Sequence, residues 1–403
     1  MRLFPTSTAA LLPLFLTPSI LSTQLHAQKS LRILQVGSAQ LDAKQQLKNL
    51  SFVLRAGKIQ EFGRQANPSQ GSRLSAEKRW SFPKGFATAG FVDIHSSLGA
   101  KNELAEQVVS FFPDFDAADA YDPADPAWKL LARCGVTSLV LAPSNTSLVG
   151  GLAAFLRPGQ SERPAASYMK FSFTRSMLNR EREPTSLLGA SDLLKRKIER
   201  LQAPSVGAPR KLSPGMARFA QVLSGKQSVG IACQTRAEIL QAIRLIKTHR
   251  LNAFLLHVDE AEFVLDQLAK SQLSVVLRPL SLQSSARKRK LPQLLAAKGI
   301  PFAFAGEEST RMDLPQLQCT LALLVQAGID PMRAIASVTS VPARLAGLDK
   351  QVGSLLRGRD ADIVVWSHPP TELRARPLLV LRRGEVLYEA SPTPKTSKKG
   401  AKL

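Results

Sequence analysis

Apolar runs that stop at a polar residue recur along the chain at intervals of roughly 20 to 25 residues, the length of one strand-and-helix repeat. Ser228–Ala232, Ala253–His257, Leu273–Leu277 and Ile300–Ala305 read as buried strands. Between them Ala237–His249, Glu260–Ser271 and Leu291–Lys298 carry helical periodicity. This alternation predicts a parallel sheet with crossover helices. An earlier unit has the same plan: a helix from Trp128 to Cys134, stopped at Gly135, then the strand GVTSLVLAP. Two-residue alternation dominates the flanks, where Leu31–Phe82 contains LRILQVGSAQL and LSFVLRAGKIQEFG with a turn at Gly57, and Asp362–Trp366 and Leu378–Tyr388 repeat the pattern. Residues 157–215, rich in Pro, Arg and Ser, read as one irregular insertion over the mouth of a strand-and-helix barrel.

The chain has 403 residues, 44% of them hydrophobic, enough for one barrel-sized domain and a smaller partner. Residues 1–27 read as an export signal, with Arg2, the apolar stretch Leu11–Leu21 and Leu25-His26-Ala27 before Gln28, and they point to a periplasmic or extracellular protein. No later run is long enough to span a bilayer, which excludes a transmembrane segment. Cys134, Cys233 and Cys319 have neither metal-ligand nor disulfide-framework spacing and read as buried thiols. A net charge of +23 favours weak polyanion contact through a basic surface. The dense runs, Arg287–Lys290 and the lysines of the tail 391–403, lack interleaved aromatics, so a specific nucleic-acid site is not expected.

One stretch, Phe86–Gly99 (FATAGFVDIHSSLG), is an apolar strand that turns polar at His95, Ser96 and Ser97. It resembles the first-strand signature of the amidohydrolase superfamily, a hydrophobic run and Asp before a His-x-His pair, with Ala89 at the proline position and Ser97 at the second histidine. Asp330–Trp366 is similar to the segment by which amidohydrolases leave their barrel. Thr339, Ala343, Arg344 and Gly347 match its turn, and Gly358, Asp360, Ala361 and Asp362 its last motif. Gly135–Gly151 is similar to a strand and loop of imidazolonepropionase-like members. The resemblance implies a TIM-type (β/α)8 barrel over 86–349 and a composite β-sandwich from 28–85 plus 350–390. Fold does not settle function, which has to be argued at the site.

The family relation implies hydrolysis of a non-peptide carbon–nitrogen bond, of cyclic amide or imide type, in a small molecule bound at the barrel mouth, helped by zinc or another divalent ion. The matching metal positions are His95, His257 and Glu307, with Glu307 also the proton acceptor. Against this, Ser97 replaces a histidine, Ala232 or Cys233 stands where the preceding strand carries another, and a hydroxyl binds zinc poorly. Lys170 matches the place of a carbamylated lysine, but a lysine beside a strand is expected at the surface. Two readings stay open: one ion held by two histidines and a carboxylate, or no ion, in an inactive binding or scaffold protein. The replacements weigh toward the second.

Overall fold

The computed structural model describes residues 31–64, 78–100, 104–204, 211–306 and 316–391. The expected signal segment, Glu307 and all but the first residue of the basic tail lie outside these. Among the described residues no helix is long and apolar enough to cross a membrane.

The amino-terminal strands are β1 (Leu31–Gln40), β2 (Gln46–Arg55), β3 (Lys58–Gly63) and β4 (Lys78–Ala89). Ala56 and Gly57 both have positive φ, 49° and 75°, in the two-residue turn that joins β2 to β3. Such turns match the twist of paired strands and need a glycine where φ is positive. β4 runs on through Gly90 into the barrel, whose strands are β5 (Phe91–Ser96), β6 (Val136–Leu141), β7 (Val149–Leu156), β8 (Ala165–Ser172), β9 (Val229–Ala232), β10 (Ala253–Leu256), β11 (Val275–Leu277) and β12 (Phe302–Phe304). The chain ends in β13 (Ile363–Trp366), β14 (Pro377–Arg382) and β15 (Glu385–Glu389).

The two ends of the chain form one seven-stranded sheet, in the order β15-β14-β13-β4-β1-β2-β3. Its centre is the antiparallel pairing of β13 with β4, from Ile363 opposite Ala89 to Trp366 opposite Phe86. The sheet curls, since Ile59 of β3 donates its N–H to Arg359 just before β13, and Leu34, Phe52, Ile59, Trp80, Ile363 and Leu379 share one core. Arg157, just past β7, is clamped between Asp360 and Asp362. The aspartates of the Gly358–Asp362 motif therefore tie this sheet to the barrel.

The barrel sheet runs β5 to β12 in unbroken sequence order. It departs from a regular (β/α)8 barrel at β7, which is antiparallel to both β6 and β8. The segment 157–215, expected to be irregular, supplies β8 and the helices α2 (Leu187–Gln202) and α3 (from Pro214). Among the described residues the α-helix before these is α1 (Ala127–Arg133), capped by the loop that ends at Gly135. Later crossovers include α4 (Arg236–His249), whose Thr235 and Glu238 form a reciprocal cap, α5 (Leu265–Ser271) and α6 (Ala286–Ala297). The last of these begins five residues earlier than the pattern indicated because Ser285 caps it and Pro292 is accommodated inside. β5 and β12 do not pair directly. Residues 337 and 338 fill the seam, where Val338 O accepts from Val92 N at 2.8 Å and Ser337 O from Phe304 N at 3.1 Å. At the carboxyl end of the same seam, Asp93 Oδ1 accepts from Gly306 N at 2.8 Å. The three cysteines are free, Cys233 buried and the other two half-buried.

Candidate active site at the barrel mouth

β5 is buried throughout and β10 from its second residue on, and their last residues stand at the carboxyl end of the sheet, where β/α barrels carry their chemistry. His95 stands near the end of β5 and His257 directly follows β10. Both are buried, and their rings meet edge to face with centroids 4.8 Å apart. His257 is held in the left-handed region, φ 63°, with its N–H on Val276 O at 2.8 Å. For a non-glycine residue that backbone is unfavourable by roughly 1–2 kcal/mol, and such strain collects at functional sites.

The two histidines are short of partners. Both ring nitrogens of His95 and Nε2 of His257 are buried and find no hydrogen bond among the described residues. Leaving a buried polar atom unsatisfied costs about 1–3 kcal/mol. His257 Nδ1 lies 3.5 Å from Asn145 Nδ2, a long contact. Asn145 comes from the loop between β6 and β7, and its Oδ1 accepts from Lys170 Nζ. As placed, the amide faces Nδ1 with a donor and leaves the ring proton on Nε2. The turned-over amide would face it with an oxygen and free Nε2 as a lone pair.

Lys170 corrects the expectation of a surface lysine, for it is fully buried on β8. Together with Arg278, which follows β11 and pairs with Asp259 at 2.6 Å, it makes the mouth positive. Burial first, and then the charge of Lys170, holds the His95 pKa well below its ordinary value. His257 is lowered likewise, by burial and then by His95 and Arg278. Asp93 is pushed the other way, up to about 6, by burial, against the N–H groups of Gly306 and His95 that it accepts. Its oxygens are turned into the seam, since a Cβ on Gly306 would lie 2.6 Å from Oδ2.

These shifts set a pH dependence for the metal-free fold. As pH falls through 6.5, unfolded imidazoles take protons that the folded pair refuses, so stability falls, with a limiting slope of about 1.4 kcal/mol per pH unit for each histidine. Asp93 opposes this between about 6 and 3.8, where the folded carboxyl keeps a proton the unfolded one has lost. The melting temperature of chelator-treated protein should therefore drop from pH 7 toward pH 5. The double variant His95→Asn/His257→Asn should melt with a much flatter pH profile; an unchanged slope would show that the pair is not held neutral.

The structure thus brings His95 and His257 together, while Glu307 lies outside the described residues. Ser97 and Ala232 occupy the strand positions where further imidazoles were sought, and among the described residues no cluster of three His, Cys, Asp or Glu side chains is placed to hold an ion. Asn145 and Arg278 carry no sequence signal, while Asp93 fills the Asp position of the first-strand signature. The family model described as "Amidohydrolase family" matches residues 226–392. The amidohydrolase tasK of Hapsidospora irregularis is 24% identical over 363 residues, covering 75% of this chain. The chain spans only 36% of that relative's length. Among solved structures, an amidohydrolase from Thermotoga maritima MSB8 superposes with a TM-score of 0.78 at 21% identity, covering 89% of this chain and all of that one. An adenosine deaminase from Xanthomonas campestris with bound zinc gives 0.53 at 15% identity, over 88% and 92% of the two chains. A prolidase complexed with N-methylphosphonate-L-proline gives 0.57 at 15% identity, over 90% and 100%. At these identities the likeness to solved structures is one of fold.

Proposed function

Because the chain belongs to the amidohydrolase superfamily, we propose that it hydrolyses a non-peptide carbon–nitrogen bond, an amide or cyclic imide, at the mouth of its barrel. The observation that carries this reading is the set of three unsatisfied imidazole nitrogens buried side by side on His95 and His257. A relic core would be expected to fill such positions with apolar groups or pair them, because unpaired buried donors and acceptors are destabilising. Neutral imidazoles with free nitrogens fit one divalent ion, and the depressed pKa values of the pair keep them in the ligating form at neutral pH.

His95 and His257 would hold the ion, with Glu307 as the carboxylate that the family relation assigns. A bound divalent ion supplies polarisation of the scissile carbonyl and acidification of water. The chain's own residues set the conditions. The proton of His257 has to sit on Nδ1 for Nε2 to ligate, which the Asn145 amide opposes as placed, since its Nδ2 faces Nδ1 while its Oδ1 accepts from Lys170 Nζ; ligation therefore calls for this three-residue contact to rearrange. Lys170 and Arg278 provide the positive field that stabilises negative charge developing on a carbonyl oxygen. Glu307 is the candidate to accept the water's proton, as the family relation implies.

A second reading has its own support. Ser97 and Ala232 leave fewer donors than a two-ion site needs, which favours a metal-free protein that binds a small molecule at the same mouth. Metal analysis of tag-free protein, joined to hydrolysis assays on linear amides, hydantoins and dihydropyrimidines, separates the two. The hydrolytic reading expects about one ion per chain, activity lost with a chelator and restored by zinc. Protein that takes up no zinc and turns over none of these compounds is the ligand-binding form.

A further inference from the structure

Arg182 lies beside the site without belonging to the ligand set. Its Nη2 donates to Thr146 O at 2.7 Å, one residue along the loop from Asn145, the side chain that touches both Lys170 and His257. The loop is itself fixed: Asn145 O accepts from Thr174 Oγ1 and Ser176 Oγ, and Ser147 Oγ donates to Glu106 O at 2.9 Å. The guanidinium is therefore presented by a built support.

Two of its other nitrogens, Nε and Nη1, are buried and have no hydrogen-bond partner among the described residues. The side chain as a whole is half-buried, but a cation with desolvated nitrogens ordinarily pairs them, because that desolvation is otherwise uncompensated. Burial accordingly lowers the Arg182 pKa, and the nearby Glu106 only partly offsets this. Glu106 does not close the gap: its Oε1 accepts from Val108 N at 2.6 Å and Val109 N at 3.3 Å. Nε and Nη1 point to different sides of the planar group, so each can donate separately to an oxygen, and charge-assisted bonds to a carboxylate or phosphate are the strong ones for a guanidinium. Lys170 and Arg278, whose charges act on His95 and His257, make the mouth favour the same sign of ligand.

We propose that Arg182 is the specificity residue of this mouth and that the molecule hydrolysed there carries an oxyanion, a carboxylate or phosphate, that accepts from an unpaired guanidinium N–H of Arg182. The inference rests on the hydrolytic reading for the identity of the bond cleaved. The anion contact is tested by binding alone, so failure of one is distinguishable from failure of the other.

The full-length mature protein is titrated calorimetrically with N-acetylglycine, with its neutral analogue N-acetylglycinamide and with inorganic phosphate. N-acetylglycine or phosphate should bind at least about tenfold more tightly than the neutral amide, and whichever binds better identifies the oxyanion. Arg182→Met should bring the anion-to-amide ratio near one. Arg182→Lys should keep part of it, having the charge without the fork. Zinc uptake should be the same in all three proteins. The wild-type comparison stands even if a variant fails to fold. Equal affinity for charged and neutral probes, no saturable binding of either anion, or a ratio unchanged in Arg182→Met would each overturn the assignment.

Discussion

Replacing His257 with alanine is expected to lower affinity for zinc by more than about a hundredfold and to remove hydrolysis with it, since even residues that only orient a metal ligand are worth ten- to hundredfold. The same change should leave the metal-free fold at least as stable as before. His257 Nε2 has no partner among the described residues, and Nδ1 has only the long contact to Asn145, so truncation deletes a desolvated polar ring and breaks little. The backbone that positions residue 257 is unaffected, because its N–H is held by Val276 O. Alanine meets the same left-handed strain at φ 63° and adds nothing to it. Function and stability should therefore move apart, which is the signature of a ligand kept at an energetic cost. Emission spectrometry for zinc and thermal melts in a chelator measure the two sides. Zinc retained at the wild-type level by His257→Ala would remove this histidine from the site, and a large loss of apo stability would make it a core residue.

Much of this site could be read from two strand ends. His95 and His257 each follow an unbroken apolar run, and polar residues at that point in a β/α repeat face the barrel mouth. Their approach to 4.8 Å is a property of the closed sheet, which no local pattern encodes. The burial of Lys170 is not legible locally, because a lysine beside a strand ordinarily keeps its ammonium in water. In Tyr168–Phe173 the sequence alternates Lys170 and Ser172 with apolar residues, the pattern of a strand with one wet face, yet every position is buried. β7 and β8 form an antiparallel excursion within a parallel barrel, so the strand-helix-strand rhythm that exposed the later units is missing there. Arg182 and Asn145 sit on loops, where neither period applies, and only the three-dimensional accounting of hydrogen bonds brings them out. The terminal sheet was legible as strands from alternation and from the Gly57 turn. Its order was not, because the pairing of β4 with β1 on one side and β13 on the other is set by packing between residues almost 300 positions apart, such as Trp366 and Thr88.

That same contact yields the largest expected stability effect. Trp366 ends β13, is fully buried, stacks on Phe91 with centroids 5.2 Å apart and donates its indole N–H to Thr88 Oγ1 at 2.9 Å. Phe91 opens β5 and Thr88 belongs to β4, so one ring spans the passage from the terminal sheet into the barrel. Trp366→Ala should destabilise the protein by about 3–5 kcal/mol, from lost burial and the cavity left behind. Trp366→Phe should cost much less, chiefly the hydrogen bond, about 1 kcal/mol, and a smaller void. Gly135 checks the mechanism from the other side. Its φ is 77°, and a Cβ there would lie 2.6 Å from Trp366 Cζ2, so Gly135→Ala alone suffers both backbone strain and a clash with the ring. In the double variant Gly135→Ala/Trp366→Ala the clash is gone, and the combined loss should be smaller than the sum of the two single losses. Denaturant melts of the four proteins measure that coupling. Strict additivity, or a Trp366→Ala protein within about 1 kcal/mol of wild type, would mean that the barrel and the terminal sheet are joined elsewhere.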